Sequence, residues 1–189
     1  MMTLSAAVLT LLGGLALPAE AVFERLPDTA EIVLNGKDGS EQAIGTVTFG
    51  PMQANGERGF AVDLSTGPFN EHFLSMRPFR CLETETEWYC HLPYPYALRG
   101  TISADDMTDL EYSLLFIRKA PAEFGIDAWN GLYFRLQTGP LKTLQGTLME
   151  GDFNVLASPP EQGNTRPLDP QTFIEGDAQR RAFPSLVIR

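Results

Sequence analysis

The chain has 189 residues, two cysteines and a formal net charge of −10. This acidity argues against nucleic acid and against anionic membrane surfaces as partners, because both carry negative charge. Even without residues 1–21, the chain has the size of an ordinary single domain, which is large enough to bury a core without several covalent cross-links.

The amino-terminal residues predict export. Residues 4–17 form an apolar run that is too short to span a bilayer, which takes about 20 residues. The sequence Ala19-Glu20-Ala21 that follows has the A-x-A form of a cleavage site, so we expect residues 1–21 to be a signal peptide. The expected product is a periplasmic or secreted protein with one β-rich domain over residues 22–189. It has no membrane span in its mature form.

Both cysteines lie in the segment 79–96, and an oxidising compartment favours their pairing. If Glu85 and Thr86 form a two-residue turn, Cys81 faces Cys90 on a non-hydrogen-bonded pair. The Cα atoms of such a pair approach to about 4.5 Å, which suits a disulfide. A longer loop with the same disulfide is the alternative, because Glu-Thr lacks the positive-φ residues that short hairpin turns prefer.

The alternation of side chains along this hairpin predicts its two faces. The expected core face carries Phe79, Cys81, Trp88, Cys90 and Leu92. The expected outer face carries Arg80, Leu82, Tyr89 and His91.

Alternating hydrophobicity and turn residues predict further strands along the chain. These strands are residues 30–34, 43–49, 60–64, 132–137, 144–149, 153–157 and 186–188. We expect residues 69–73 and 158–171 to be loops, and Pro93 and Pro95 to keep Tyr94 and Tyr96 out of any central strand.

Residues 103–119 have helical spacing, although residues 112–117 also fit a buried strand. We expect a short helix near 104–109, capped by Ser103, followed by a strand near 110–118. Seven to nine strands with one short helix predict an all-β fold. The expected architecture is an antiparallel barrel, closed or partly open, because closure removes edge strands. A β-sandwich is the alternative.

The sequence contains no motif for catalysis, metal binding or cofactor binding. It has no C-x-x-C or H-x-x-x-H spacing for a metal, no G-x-S-x-G nucleophile motif and no phosphate or dinucleotide loop. We therefore expect no catalytic residues, no metal site and no cofactor. A hydrolase that uses His72 or His91 without a recognisable motif stays open as a hypothesis.

Aromatic and arginine side chains near the cysteines are the remaining candidates for function. Tyrosine, tryptophan and arginine are the residues enriched at binding hot spots, and prolines stiffen the segment that carries two of the tyrosines. The predicted binding residues are Tyr89, Tyr94, Tyr96, Arg99 and Trp129. They predict a non-catalytic protein that contacts an envelope protein through this surface. The alternative is a β-barrel carrier of a small apolar or amphipathic ligand.

Four segments resemble those of a group of uncharacterised exported bacterial proteins. They are residues 80–82 (Arg-Cys-Leu), 90–96 (Cys-His-Leu-Pro-Tyr-Pro-Tyr), 106–112 (Asp-Met-Thr-Asp-Leu-Glu-Tyr) and 129–133 (Trp-Asn-Gly-Leu-Tyr). The resemblance covers most of the chain after residue 21 and implies an exported protein. It implies no activity, ligand or catalytic residue.

Overall fold

The computed structural model describes residues 19–158 and 163–189. The predicted signal peptide lies mostly outside these residues, and so does part of the predicted loop at 158–171. The strands are β1 (Thr29–Asn35), β2 (Glu41–Met52), β3 (Arg58–Leu64), β4 (Asn70–Leu74), β5 (Arg77–Glu83), β6 (Trp88–His91), β7 (Thr101–Ile102), β8 (Phe116–Lys119), β9 (Gly131–Thr138), β10 (Leu144–Gly151), β11 (Ile174–Glu175) and β12 (Ser185–Ile188).

All the described strands belong to one antiparallel sheet. Their order is β4-β5-β6-β8-β9-β10-β12-β1-β2-β3-β7, and β11 pairs with β10 beside this path. The predicted all-β antiparallel class is therefore confirmed. Strand pairing does not close the sheet, because β4 ends it on one side and β3 with the two-residue β7 ends it on the other.

The predicted hairpin forms in the register expected from a two-residue turn. Cys81 faces Cys90, the two form a disulfide, and their Cα atoms lie 3.9 Å apart. The turn closes without positive φ at Glu85 or Thr86, because Oγ1 of Thr84 accepts a hydrogen bond from the backbone N–H of Glu87. A threonine side chain thus supplies the turn closure that the central residues do not favour.

The predicted faces of this hairpin are corrected by the structure. Leu82 and Tyr89 point into the main core, whereas Phe79, Cys81 and Cys90 form a smaller cluster on the opposite face. Both faces are covered, so the alternation of side chains could not show which one meets the main core.

Two predicted segments differ from the structure in type. Residues 69–73 were expected to be a loop, but Asn70–Leu74 pairs with β5 as an edge strand. Residues 153–157 were expected to be a strand, but Asn154–Ala157 is a 3₁₀ helix. Oδ1 of Asp152 accepts a hydrogen bond from the backbone N–H of Asn154, which turns the chain out of the ladder after β10.

Residues 103–119 contain a short helix followed by a strand, as expected. The helix lies at Thr108–Tyr112 rather than near 104–109, and the strand lies at Phe116–Lys119 rather than near 110–118. Helix α1 is Ala19–Phe23 and helix α2 is Thr108–Tyr112. Oγ of Ser103 accepts a hydrogen bond from the backbone N–H of Asp106, so this serine closes the turn before α2 rather than capping the helix. No helix among residues 19–158 and 163–189 is long and apolar enough to cross a membrane.

Helix α1 spans the predicted cleavage site. Phe23, its last residue, is 1% exposed and packs into the main core. The main core lies on one face of the sheet and is built from residues of β1, β2, β9, β10 and β12 together with Leu110 and Leu114. A second cluster, around Tyr112, Tyr133 and Phe153, covers the opposite face.

Candidate functional site

The proline-rich segment after β6 leaves the sheet and returns to it at β3. The backbone N–H of Leu92 donates to the carbonyl of Leu115, and the backbone N–H of Phe60 donates to the carbonyl of Gly100. Between these two bonds, residues 93–100 contain no strand, as the prolines predict. The segment is therefore fixed at both ends to different parts of the sheet.

The two tyrosines of this segment hold it in place. The hydroxyl of Tyr94 donates to the carbonyl of Thr165 at 2.5 Å, and the hydroxyl of Tyr96 donates to the carbonyls of Leu156 and Ser158. The ring of Tyr94 also packs on Tyr112, with centroids 4.5 Å apart. Both side chains are half-buried, so a large part of each ring already has partners within the chain.

Arg99 belongs to an ion network beneath the same segment. It donates to Asp106, which also accepts hydrogen bonds from Arg166, and Arg166 pairs with Asp109. Burial acts to raise the pKa of Asp106, but the hydrogen bonds from Arg166, Thr108 and Arg99 outweigh it and hold that pKa well below its ordinary value. These arginines therefore hold the loop around Arg166 and the segment around Arg99 against α2.

A groove lies between the segment and the edge strand β3. Its cavity has a volume of about 670 Å³. Strand β3 forms its floor along residues 60–64, and the opposite wall includes Arg80, His91, Pro93, Tyr94 and Leu98. We call this cavity the seam groove, because it separates β3 from β5 and β6 where the sheet is not closed.

The seam groove exposes the backbone edge of β3. The N–H of Phe60 points away from β2, toward Gly100, and the N–H of Ser65 points toward β2, where it donates to Ile44. Because successive residues of a strand alternate in direction, the N–H and C=O groups of Val62 and Leu64 also point away from β2. Strand β7 pairs only with Arg58 and Gly59, so no described strand covers this part of the edge.

The side chains of β3 that pack on the main core make the floor of the seam groove apolar, whereas the carboxylate-bearing Asp63 lines the groove from the exposed side of the strand. Phe60, Val62 and Leu64 are half-buried and pack against the main core, whereas Ala61 and Asp63 are exposed. This alternation is that of a strand with one face on a core and one face in solvent. The groove thus combines, on the same strand, an apolar face and backbone groups that are paired with no described strand.

Arg80 and His91 give the opposite wall its polar character. Burial, with a smaller effect from the Arg80 charge, lowers the pKa of His91 to about 4, so the imidazole is neutral at pH 7. The guanidinium of Arg80 lies over the ring of Phe69 and has no carboxylate within salt-bridge distance among the described residues. Arg80 is therefore a positive charge on the groove wall.

A second, smaller cavity continues the groove past these two residues. It has a volume of about 240 Å³ and shares Arg80, His91 and Pro93 with the seam groove. Its other lining residues include Glu71 and Pro78. The two cavities therefore lie against the same three residues, Arg80, His91 and Pro93.

Neither histidine forms part of a nucleophilic site in the described ranges. Nε2 of His91 donates to the backbone carbonyl of Ser113 at 3.3 Å, and Oγ of Ser113 donates to the carbonyl of Asp109. Nε2 of His72 lies 2.8 Å from Oε1 of Glu83, and its ring packs against Trp88. Neither imidazole contacts a side-chain hydroxyl, so the geometry does not favour the hydrolase hypothesis.

The structure brings only some of the predicted binding residues together. Tyr94, Tyr96 and Arg99 share one segment, and Tyr94 lines the seam groove. Tyr89 is 0% exposed; its hydroxyl donates to Glu87 and accepts from the backbone N–H of Phe183, so it belongs to the core. Trp129 is 68% exposed but does not line the groove.

Sequence reasoning missed β3 as part of the site. The alternation of Phe60, Val62 and Leu64 predicted a strand, but a strand's own sequence does not show whether it lies at a sheet edge. Arg80 and His91 were predicted on the outer face of the hairpin, and they line the groove instead. A useful signal was present at Pro93 and Pro95, which stop the next segment from pairing with β3 as a regular strand.

The chain matches no protein-family model, no curated protein and no solved structure. No three His, Cys, Asp or Glu side chains in the described parts of the chain are grouped so that they could hold a metal ion.

Proposed function

We propose that this protein is a non-catalytic binding protein that takes an extended segment of a partner protein into the seam groove. In this proposal the sheet is a partly open barrel and the groove is its opening. The observation that carries the proposal is the free backbone edge at Val62 and Leu64, above an apolar floor. Adding a strand to an exposed edge is a common way for proteins to recognise extended peptides.

The chemistry of the groove defines the partner segment. Because the N–H of Phe60 already donates to Gly100, the uncovered edge runs from residue 61 to residue 64 and is about 10 Å long at about 3.4 Å per residue, so it pairs with roughly four residues. Side chains at alternate positions of the partner face the apolar floor and are themselves apolar. An acidic side chain at the end near Arg80 is favoured by the charge of that arginine.

The expected setting follows from the sequence. An exported chain meets its partner in the envelope, and an extended segment of an envelope protein fits the groove. The tethers of Tyr94 and Tyr96 support this role, because they hold one wall in place before the partner arrives. A pre-formed groove reduces the entropy lost on binding.

The test uses the backbone donor of Val62. Val62→Pro removes an N–H that faces the groove and leaves the pairing with β2 intact, since proline is tolerated on an edge strand. Val62→Thr is the matched control, because it keeps the N–H and the branched side chain. The probes are short linear peptides selected from a phage-displayed library on the wild-type protein and then synthesised and titrated.

We expect Val62→Pro to weaken peptide binding roughly threefold to tenfold, which corresponds to one net hydrogen bond. Val62→Thr should bind like the wild type. Amide hydrogen exchange should slow at Val62 and Leu64 when peptide is bound. Equal binding by Val62→Pro, exchange protection outside β3, or a library that yields no binding peptide would each overturn the proposal.

A further inference from the structure

A third cavity lies on the face of the sheet opposite the main core. It has a volume of about 360 Å³, within the range of small-molecule sites. Ten of its twelve lining residues are apolar, and the other two are Ser75 and Arg77. We call it the outer cavity.

The outer cavity forms where two apolar clusters meet. Phe79 belongs to the cluster around the disulfide, and Ile117 and Phe153 belong to the cluster around Tyr133. Leu92 and Ile126 pack against both clusters and also line the cavity. The walls are therefore held by core packing on two sides, while no side chain of residues 19–158 or 163–189 fills the space between them.

Polar groups are few in this cavity, and one of them has no partner among the described residues. Oγ of Ser75 is occupied, because it accepts from the backbone N–H of Ile126 and lies 3.4 Å from its carbonyl oxygen. Arg77 has the same side-chain direction as Phe79 along β5, because the two residues are two positions apart. Within the described ranges, the Arg77 guanidinium makes no hydrogen bond and no salt bridge.

We propose that the outer cavity binds a small amphipathic carboxylate, with its apolar chain against Ile117 and Phe153 and its carboxylate on the guanidinium of Arg77. An apolar pocket with one positively charged side chain favours a ligand that has an apolar chain and one negatively charged group. The charged side chain also sets which end of the ligand enters the pocket. Arg77 is exposed, so the carboxylate lies at the mouth and the chain points inward. This site is separate from the edge of β3 and does not depend on the proposed peptide binding.

The test compares probes that share one apolar chain and differ in the head group. Decanoate, decanol and decylamine are titrated into the full chain below their micelle concentrations, and binding is followed by calorimetry. We expect decanoate to bind about threefold to fivefold more tightly than decanol, as for a partly exposed ion pair, and decylamine to bind most weakly.

Two variants separate the head-group contact from the apolar walls. Arg77→Met should bring decanoate down to the affinity of decanol, and Arg77→Lys should keep part of the difference. Ala157→Trp, at the exposed rim, should reduce binding of all three probes. Equal affinities for the three probes, or an unchanged decanoate affinity in Arg77→Met, would overturn the proposal.

A control keeps this proposal distinct from the peptide-binding proposal. Val62→Pro changes the edge of β3 and none of the residues that line the outer cavity. Decanoate binding by Val62→Pro should equal that of the wild type. A loss of decanoate binding in that variant would contradict the assignment of the ligand to the outer cavity.

Discussion

Oε1 of Glu111 accepts a hydrogen bond from the backbone N–H of Leu136 at 2.6 Å, so a side chain of α2 takes the place of a neighbouring strand along β9. Strand β8 pairs with β9 only at Phe116 and Ile117 and does not reach Leu136. The other carboxylate oxygen accepts from the hydroxyl of Tyr133. A buried carboxylate thus satisfies a backbone donor that the short neighbouring strand leaves free.

The burial of this carboxylate predicts a pH dependence of stability. Burial raises the pKa of Glu111 above its ordinary value of 4.5, against the lowering effect of its hydrogen bonds from Tyr133 and Leu136 and of the Arg135 charge. A raised pKa means that the folded protein holds this proton more tightly than the unfolded chain. The stabilisation is full below pH 4.5 and is lost as the pH rises through the folded-state pKa.

Glu111→Gln removes this titration and keeps an oxygen that can accept from Leu136. We expect the difference in unfolding free energy, Glu111→Gln minus wild type, to increase as the pH rises above 4.5. Urea unfolding at a series of pH values measures it. A difference that stays constant with pH would contradict the prediction.

The ion network beneath the proline-rich segment predicts unequal roles for its two arginines. The Asp109 side chain is 1% exposed, and Arg166 is its ion-pair partner. Arg166→Met should therefore cost about 3 kcal/mol of unfolding free energy, near the lower end for a broken buried pair because Arg166 is itself 28% exposed.

Arg99→Met is the matched control. Arg99 is 53% exposed, and Asp106, which Arg166 also contacts, is its one ion-pair partner among the described residues. Its loss should cost less than about 1 kcal/mol. Chemical unfolding at neutral pH measures the unfolding free energy of both variants. Equal losses of unfolding free energy in Arg166→Met and Arg99→Met would contradict the prediction.

The disulfide predicts a loss of stability on reduction. In the chain-entropy model a ring between Cys81 and Cys90 contributes about 2.5–3 kcal/mol. Reductant should lower the melting temperature of the wild type. The double variant Cys81→Ala plus Cys90→Ala should melt at the lower temperature with or without reductant. If the double variant melted at the same temperature as the oxidised wild type, the disulfide would not stabilise the fold.

The tight turn between β4 and β5 predicts a stabilising substitution. Ser75 and Met76 have φ values of 47° and 65°, the left-handed region that favours glycine. Met76 is almost fully exposed, so removing its side chain costs little packing. Met76→Gly should raise the unfolding free energy by about 1 kcal/mol. Met76→Ala removes the same side chain but keeps the strain, so the two variants should differ in urea unfolding.

The hairpin shows how much of this fold the sequence could predict. Two cysteines and a short turn set the register from Cys81 to Glu83 by counting alone, and the structure confirms it. The identity of the core face was wrong, because a sheet covered on both faces has apolar residues on both sides of each strand. The alternation of side chains shows that the hairpin has two faces, but it does not show which face packs against the main core.

The candidate site could not be predicted from local sequence patterns, because it is formed by the order of the strands and by tertiary packing. Strand β3 was predicted, but its position at an open edge follows from the order of all the strands. Strand β4 was missed because Glu71 and His72 are polar, and its strand structure comes from pairing with β5. Tyr89 was placed among the binding residues by its type, and only the tertiary packing shows that it is buried.

The position of β12 determines how this sheet can assemble. Strands β1, β2, β3 and β7 form one ladder, strands β4 to β10 without β7 form another, and β12 is the strand whose backbone pairing joins them, to β1 on one side and β10 on the other. The pairing of Ile32 with Ile188 joins residues far apart in sequence, which makes this step slow relative to hairpin formation. Without β12, β1 would lose its neighbour at residues 32–35 and β10 would lose its neighbour at residues 144–147, and uncovered strand edges of this kind promote aggregation. Residues 185–188 are therefore the segment on which the continuity of the whole sheet depends.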